Sequence, residues 1–304
     1  MSSRPIRSVL AAASALSVLA LAACSGGGTT GADGGAQPAA AGKIKVVAST
    51  DVWGSVVSAV GGDKVEVKSI IHDPSADPHS YETTADDALA AKDAKLLLSN
   101  GGGYDEFFKK LTDQAPGAKN LVAYDIAATG DENEHVWYDL PGVDKVADQV
   151  AAQLGELQPA SKQQFTDNAT AFKAKVDALE KRLEELGTTH PGTKVVVTEP
   201  VAHYLLASAK ITDATPKAFS DAVENDTDVP ADAVSQYKQL IATKQVKALI
   251  NNEQTVTPLT QDVVKQAKEA GIGVVGVTET LPAGVTDYIV WMTGEVDELA
   301  GALK

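Results

Sequence analysis

Cysteine, histidine and basic charge are all scarce in this sequence, and each shortage narrows what it can be. A single cysteine permits neither a disulfide framework nor a Cys-rich zinc module. Lysine and arginine number 26 against 41 aspartates and glutamates, a formal net charge of -15. A general affinity for nucleic acid or anionic lipid calls for basic patches, so neither is expected as a partner. No HExxH motif and no nucleophile elbow occurs, which removes two common routes to hydrolysis. Histidines stand only at positions 72, 79, 135, 190 and 203, so a histidine site can be tested residue by residue. What is present is ample apolar material: 44% hydrophobic against 22% charged residues in 304, enough for two domains with real cores.

Residues 1–23 read as a signal peptide. Arg4 and Arg7 form a basic start, and Val9 to Ala23 is an uncharged apolar run shorter than the roughly 20 residues of a membrane-spanning helix. The sequence Leu21-Ala22-Ala23-Cys24 looks like the lipobox of a bacterial lipoprotein, with Cys24 lipidated as the first mature residue. Residues 24–42, rich in Gly, Ala, Ser and Thr, have no large apolar side chain and read as a lipidated flexible tether. The expected location is the extracytoplasmic face of the cell membrane, held by the N-terminal lipid.

From Lys43 short apolar runs alternate with helical patterns, the rhythm of βαβ units on mostly parallel sheets. Strands are expected at Ile44–Ala48, Val65–Ile71, Lys95–Ser99 and Leu121–Tyr124. Helices are expected near Val52–Val60, Ala85–Ala91 and Asp105–Gln114. The second half gives strands at Lys194–Thr198, Val246–Ile250 and Gly273–Val277. Its helices fall near Val201–Ala209, Ala231–Thr243, Leu259–Ala270 and Thr286–Leu303. Between the halves, Gln158–Leu186 keeps Phe165, Phe172, Val176, Leu179, Leu183 and Leu186 at helical spacing, without glycine, after Pro159. At 1.5 Å per residue it is a rod of roughly 40 Å. The fold class is therefore α/β: an N-terminal lobe over 43–157, a linking helix over 158–187 that limits how far the lobes swing apart, and a C-terminal lobe over 188–304.

Ligands of open α/β sheets bind beyond the carboxyl ends of strands. Four such ends carry chemistry. His79 lies in Asp77-Pro78-His79-Ser80-Tyr81-Glu82 after the second strand, and His135 in His135-Val136-Trp137-Tyr138-Asp139 after the fourth. Glu199 closes the first strand of the second half, and Glu279 follows its last strand. Alone, each histidine is a loop residue and each glutamate a helix cap. Together, two imidazoles and two carboxylates converging on one cleft suit a divalent first-row metal. His203, one turn into the helix that Pro200 opens, points along its flank.

With these motifs in order, the chain resembles the zinc/manganese family of solute-binding proteins of bacterial metal ABC transporters, over Lys43 to Lys304 and in its leader. The resemblance implies metal ligands at His79, His135, Glu199 (with Tyr204 five residues on) and Glu279, and places the Asn100-Gly101-Gly102-Gly103 turn after the third strand. It implies a monomeric receptor, not an enzyme, that passes a divalent ion to an ABC permease. Glu279 departs from the family's usual aspartate. Thr129 to Glu134 lacks the His-rich stretch of many zinc importers and offers Asp131, Glu132 and Glu134 as solvated loop charge. Oxygen ligands lean the site towards manganese, while affinity rising from manganese to zinc keeps Zn2+ open, with Fe2+ between. An exported metallohydrolase or a surface adhesin using the same site are the alternatives.

Overall fold

The structure, a computed structural model, describes residues 42–74, 76, 78–79 and 81–304. The expected signal peptide, Cys24 and nearly all of the tether lie outside the described residues, as do Asp77 and Ser80 of the first histidine motif. Among the described residues no helix is long and apolar enough to cross a membrane.

The first half contains strands β1 (Ile44–Thr50), β2 (Val65–Ile71), β3 (Leu96–Ser99) and β4 (Lys119–Val122). Around them lie helices α1 (Asp51–Gly61), α2 (Ala85–Asp93), α3 (Phe107–Gln114), α4 (Ala123–Ala127) and α5 (Leu140–Leu157). The long helix α6 (Lys162–Thr189) follows a 3-10 turn at Pro159–Ser161. The second half contains β5 (Lys194–Val197), β6 (Thr212–Asp213), β7 (Ala248–Asn252) and β8 (Gly273–Val277). Its helices are α7 (His203–Ser208), α8 (Lys217–Glu224), α9 (Ala231–Ala242), α10 (Pro258–Ala270) and α11 (Tyr288–Ala302).

Each half holds one four-stranded, all-parallel sheet, in the orders β2-β1-β3-β4 and β6-β5-β7-β8. Parallel strands carry helices on both faces and so read as continuous apolar runs. Val46, Val47 and Ala48 of β1 and Val195, Val196 and Val197 of β5 are all buried. In both sheets the order reverses around the first strand, so the crevices at β1/β3 and β5/β7 are the topological switch points where such folds bind ligands.

The linking helix keeps its expected stripe. Phe165, Ala169, Phe172, Val176, Leu179, Leu183 and Leu186 are buried at alternating steps of four and three. It packs against α1 and α5 of the first half and against α7 and α11 of the second. One apolar cluster consequently runs through both halves, from Val46 and Trp53 through Phe165 and Leu183 to Val197 and Trp291.

Local chemistry moved several boundaries. The helix expected from Asp105 starts at Phe107, because both Asp105 carboxylate oxygens accept backbone N–H groups, from Asn100 at 2.6 Å and Gly101 at 2.8 Å. The fourth strand ends at Val122, and α4 takes Ala123 and Tyr124, with the Tyr124 N–H bonded to the Asn100 carbonyl at 2.8 Å. Pro200 opens a 3-10 turn over Pro200–Ala202 before α7 begins at His203. Four elements, α4, α5, β6 and α8, had no range in the sequence pattern. Of these β6 is two residues long, and α8 is an eight-residue helix held by Phe219, Ala222 and Val223.

Candidate metal centre

Three of the four expected ligands, His79, Glu199 and Glu279, line one cavity of about 270 Å³ together with Glu224, Gln254 and Thr255. His79 is exposed on the loop after β2. Glu199 follows β5 in extended conformation and is 6% exposed; Glu279 follows β8 and is 8% exposed. Pro200 leads the chain away after Glu199, so the carboxylate stays at the strand end rather than on a helix flank.

His135 is wholly buried and reaches the same place through Glu224: its Nε2 stands 3.5 Å from Oε1 of that residue. It does not sit directly at the end of β4, since α4 intervenes, but at the start of the 3-10 turn Val136–Tyr138. Its ring is oriented by Asn133, whose Oδ1 accepts both the His135 backbone N–H at 2.9 Å and Nδ1 at 3.1 Å. The Asn133 amide is fixed the right way round because its Nδ2 donates to the Pro200 carbonyl at 3.0 Å. Nδ1 therefore carries the proton and Nε2 keeps its lone pair, the form a metal requires. Burial, and then the nearby charges of His79 and His203, push His135 down to about 3, so the ring is neutral at physiological pH.

Aromatic rings hold the two histidines at a fixed separation. Tyr104 lies edge-on to His79 at 5.1 Å and to His135 at 6.3 Å, and Trp137 packs on His135 at 5.1 Å and on Tyr104 at 4.6 Å. Burial raises the Tyr104 hydroxyl well above its ordinary value, with the Glu279 charge adding to the effect. The Asn100 turn supports this wall. Asn100 accepts from Trp53 Nε1 at 3.1 Å and donates to the Glu134 carbonyl at 2.9 Å, one residue before His135. Gly102 has φ of 70°, and a Cβ there would meet Tyr124 at 2.8 Å and Glu134 Cβ at 3.0 Å, so only glycine lets this turn lie against the histidine loop.

Bonds across the halves tie the ligand-bearing loops together. Tyr204 donates to the Asn133 carbonyl at 2.7 Å, and Tyr138 to the Thr278 carbonyl at 2.8 Å. Gln254 receives the backbone N–H of Glu279 at 2.5 Å and gives its own Nε2 to the Pro74 carbonyl at 2.6 Å. Asn252 Nδ2 donates to Oε1 of Glu279 at 2.7 Å, fixing that carboxylate.

The remaining histidines stand elsewhere. Nε2 of His203 lies 3.2 Å from Asp131 on the surface, His72 lines a separate hollow with Asp51 and Ser69, and His190 caps the end of α6. Two acids read as ordinary charge, or not singled out at all, do reach the centre. Glu134 and Glu224 each place a carboxylate oxygen, with a ring nitrogen of His79, within a mutual 4.8 Å. Burial drives Glu224 up to about 9, followed by the charges of Glu199, Glu134 and Glu279. At neutral pH the His135–Glu224 contact thus joins two uncharged groups and is no ion pair. Glu134 adjoined His135 in sequence and was readable from that. Glu224 gave no comparable signal, since it ends a short helix that the pattern did not reveal.

Two parallel α/β halves, joined by one helix and turning histidines and glutamates into a shared crevice, define a two-lobed ligand-binding protein. The chain belongs to the family described as zinc-uptake complex component A, periplasmic, whose model matches residues 46–302. Among its relatives, it is 27% identical over 198 residues to the manganese ABC transporter substrate-binding lipoprotein PsaA of Streptococcus anginosus, covering 60% of this chain and 62% of PsaA. It is 29% identical over 182 residues to the iron ABC transporter substrate-binding lipoprotein MtsA of Streptococcus pyogenes serotype M1, covering 55% and 56%. The matched stretch thus spans only about three fifths of these curated relatives. The fold is that of the periplasmic zinc-binding protein TroA of Treponema pallidum, with a TM-score of 0.70 at 19% identity over 86% of this chain and 99% of TroA.

Proposed function

We propose that this protein captures a divalent transition-metal ion outside the cytoplasm and delivers it to an ABC permease for import, without catalysing a reaction. The observation that carries the reading is the convergence of His79, Glu199 and Glu279 on one cavity, with the lone pair of His135 Nε2 beside it. Neutral, pre-oriented imidazole and clustered carboxylates are what a divalent ion binds, and a cation relieves the repulsion among the ionised carboxylates of the crevice. We assign His79, His135, Glu199 and Glu279 as ligands, with a lobe arrangement of 43–157, 158–187 and 188–304. The names of PsaA, MtsA and TroA, which refer to manganese, iron and zinc, support the substrate class. The oxygen-rich donor set favours Mn2+ or Fe2+, and Zn2+ binds by its higher intrinsic affinity. Residues 1–23 serve as an export signal, and Cys24 carries the lipid that holds the receptor, as a monomer, at the membrane.

The test is native mass spectrometry of residues 25–304 after exposure to equimolar MnCl2, ZnCl2 and iron(II). One retained ion per chain is expected. Retention of none, or of two, overturns the assignment.

A further inference from the structure

We propose that Glu224, at the carboxyl end of α8, is a further direct ligand of the ion and weights the site towards manganese or iron(II). This rests on the reading of the cleft as a divalent-metal site and adds a residue to it. Three observations converge. Glu224 lines the cavity shared by His79, Glu199 and Glu279. Its Oε1 stands 3.5 Å from His135 Nε2, a buried nitrogen that makes no hydrogen bond. One of its carboxylate oxygens also lies within 4.8 Å of a ring nitrogen of His79 and an oxygen of Glu134.

The 3.5 Å separation fits an ion. Two bonds of ~2.1 Å place their donor atoms ~3.0 Å apart at an octahedral angle and ~3.4 Å apart at a tetrahedral one, so the contact suits a shared ion without itself choosing which. It is too long for a hydrogen bond between them, yet it suits two ligands of one cation. Glu224 thus faces both histidines of the first half from an element of the second. Its position is not a loose side chain's accident, because Phe219 and Val223 anchor α8 in the second core. Tetrahedral zinc is satisfied by four donors, whereas manganese and iron(II) accept more and favour carboxylate oxygen. A third carboxylate beside two imidazoles therefore benefits the larger, harder ions more than zinc.

The test compares wild type with Glu224→Gln, which keeps volume and one carbonyl oxygen but removes the anionic donor. Each is titrated with MnCl2 and with ZnCl2, and the manganese-bound forms are examined by electron paramagnetic resonance. Manganese affinity is expected to fall by at least about tenfold, since loss of a group that merely orients a ligand already costs about that much. Zinc affinity should fall several-fold less, with an altered manganese spectrum. Unchanged manganese affinity, or equal losses for both ions, overturns the inference. Should the glutamine variant not fold, Glu224→Asp decides by the same titrations, since it withdraws the carboxylate by one methylene. Failure of wild type itself to bind either ion refutes the receptor reading instead, which keeps the two failures distinct.

Discussion

Asn133 touches no ion in the proposed site, yet its removal should be felt there strongly. Asn133→Ala deletes the acceptor of His135 Nδ1 and of the His135 backbone N–H, and the donor to the Pro200 carbonyl next to Glu199. The Nδ1 proton would then be buried without a partner, at a cost of about 1–3 kcal/mol. The ring can escape that cost by moving its proton to Nε2, which removes the lone pair that faces the ion. Either route penalises the metal-binding tautomer, and 1.4 kcal/mol is about tenfold in affinity. The expected loss is about 10- to 100-fold for both manganese and zinc, in line with other groups that orient a ligand without touching the metal. Competition titration against a fluorescent chelator measures it directly. Asn133→Asp separates the contributions: its carboxylate still accepts from Nδ1 but cannot donate to Pro200, so affinity should recover to within about tenfold of wild type, leaving only the lost donor. If Asn133→Ala binds within twofold of wild type, the orienting argument is wrong and His135 is held by packing against Trp137 and Tyr104 alone.

His79→Ala and Glu199→Ala should each weaken metal binding severely in the same titration, while His203→Ala and His190→Ala leave it near wild type, because the latter two stand off the cavity. Glu295 is buried beside Trp291, whose Nε1 donates to it at 2.7 Å, and burial drives it up to about 8. A carboxyl raised above its unfolded value contributes stability below about pH 4.5 that is lost as pH rises towards 8. Glu295→Gln should therefore match wild type near pH 4.5 and exceed it by roughly 4 kcal/mol at pH 7.5, at ~1.36 kcal/mol per pH unit; equal urea midpoints at both pH values would refute this. His135 runs the opposite way: with the folded value near 3 and the unfolded near 6.5, its contribution is present above pH 6.5 and lost as pH falls towards 3. His135→Gln should show a shallower acid decline in urea midpoint between pH 6.5 and 4 than wild type.

The halves and their sheets were legible because parallel strands buried on both faces cannot hide their apolar runs, as with Val195, Val196 and Val197. The α6 stripe was legible for the same reason, at helical period. Strand ends then pointed to Glu199 and Glu279 without further information. Elements whose stability is tertiary were not legible. Helix α8 has only eight residues, too few to form on propensity alone, and stands because Phe219 stacks on Tyr237 at 4.0 Å. Its terminal Glu224 reached the site unannounced for that reason. The part of Asn133 was hidden likewise, since its hydrogen bonds to His135 are local but the one to Pro200 spans the two halves.

The apolar cluster that α6 threads through both halves sets an energy scale for motion. Withdrawing a single buried leucine or phenylalanine from such a core costs about 1.5–3 kcal/mol. Coupling between a bound ligand and a conformational change typically amounts to about 1–3 kcal/mol. A wide hinge opening that parted Phe172 or Leu183 from their neighbours would cost, in one or two side chains, as much free energy as such coupling typically provides. The cheapest degree of freedom is the loop bearing His79, which is exposed, whereas His135 and Glu279 lead directly into buried Val136, Trp137, Tyr138 and Leu281. For the proposed receptor, entry and release of an ion would then be matters of rearranging that one loop at the rim rather than of prising the halves apart.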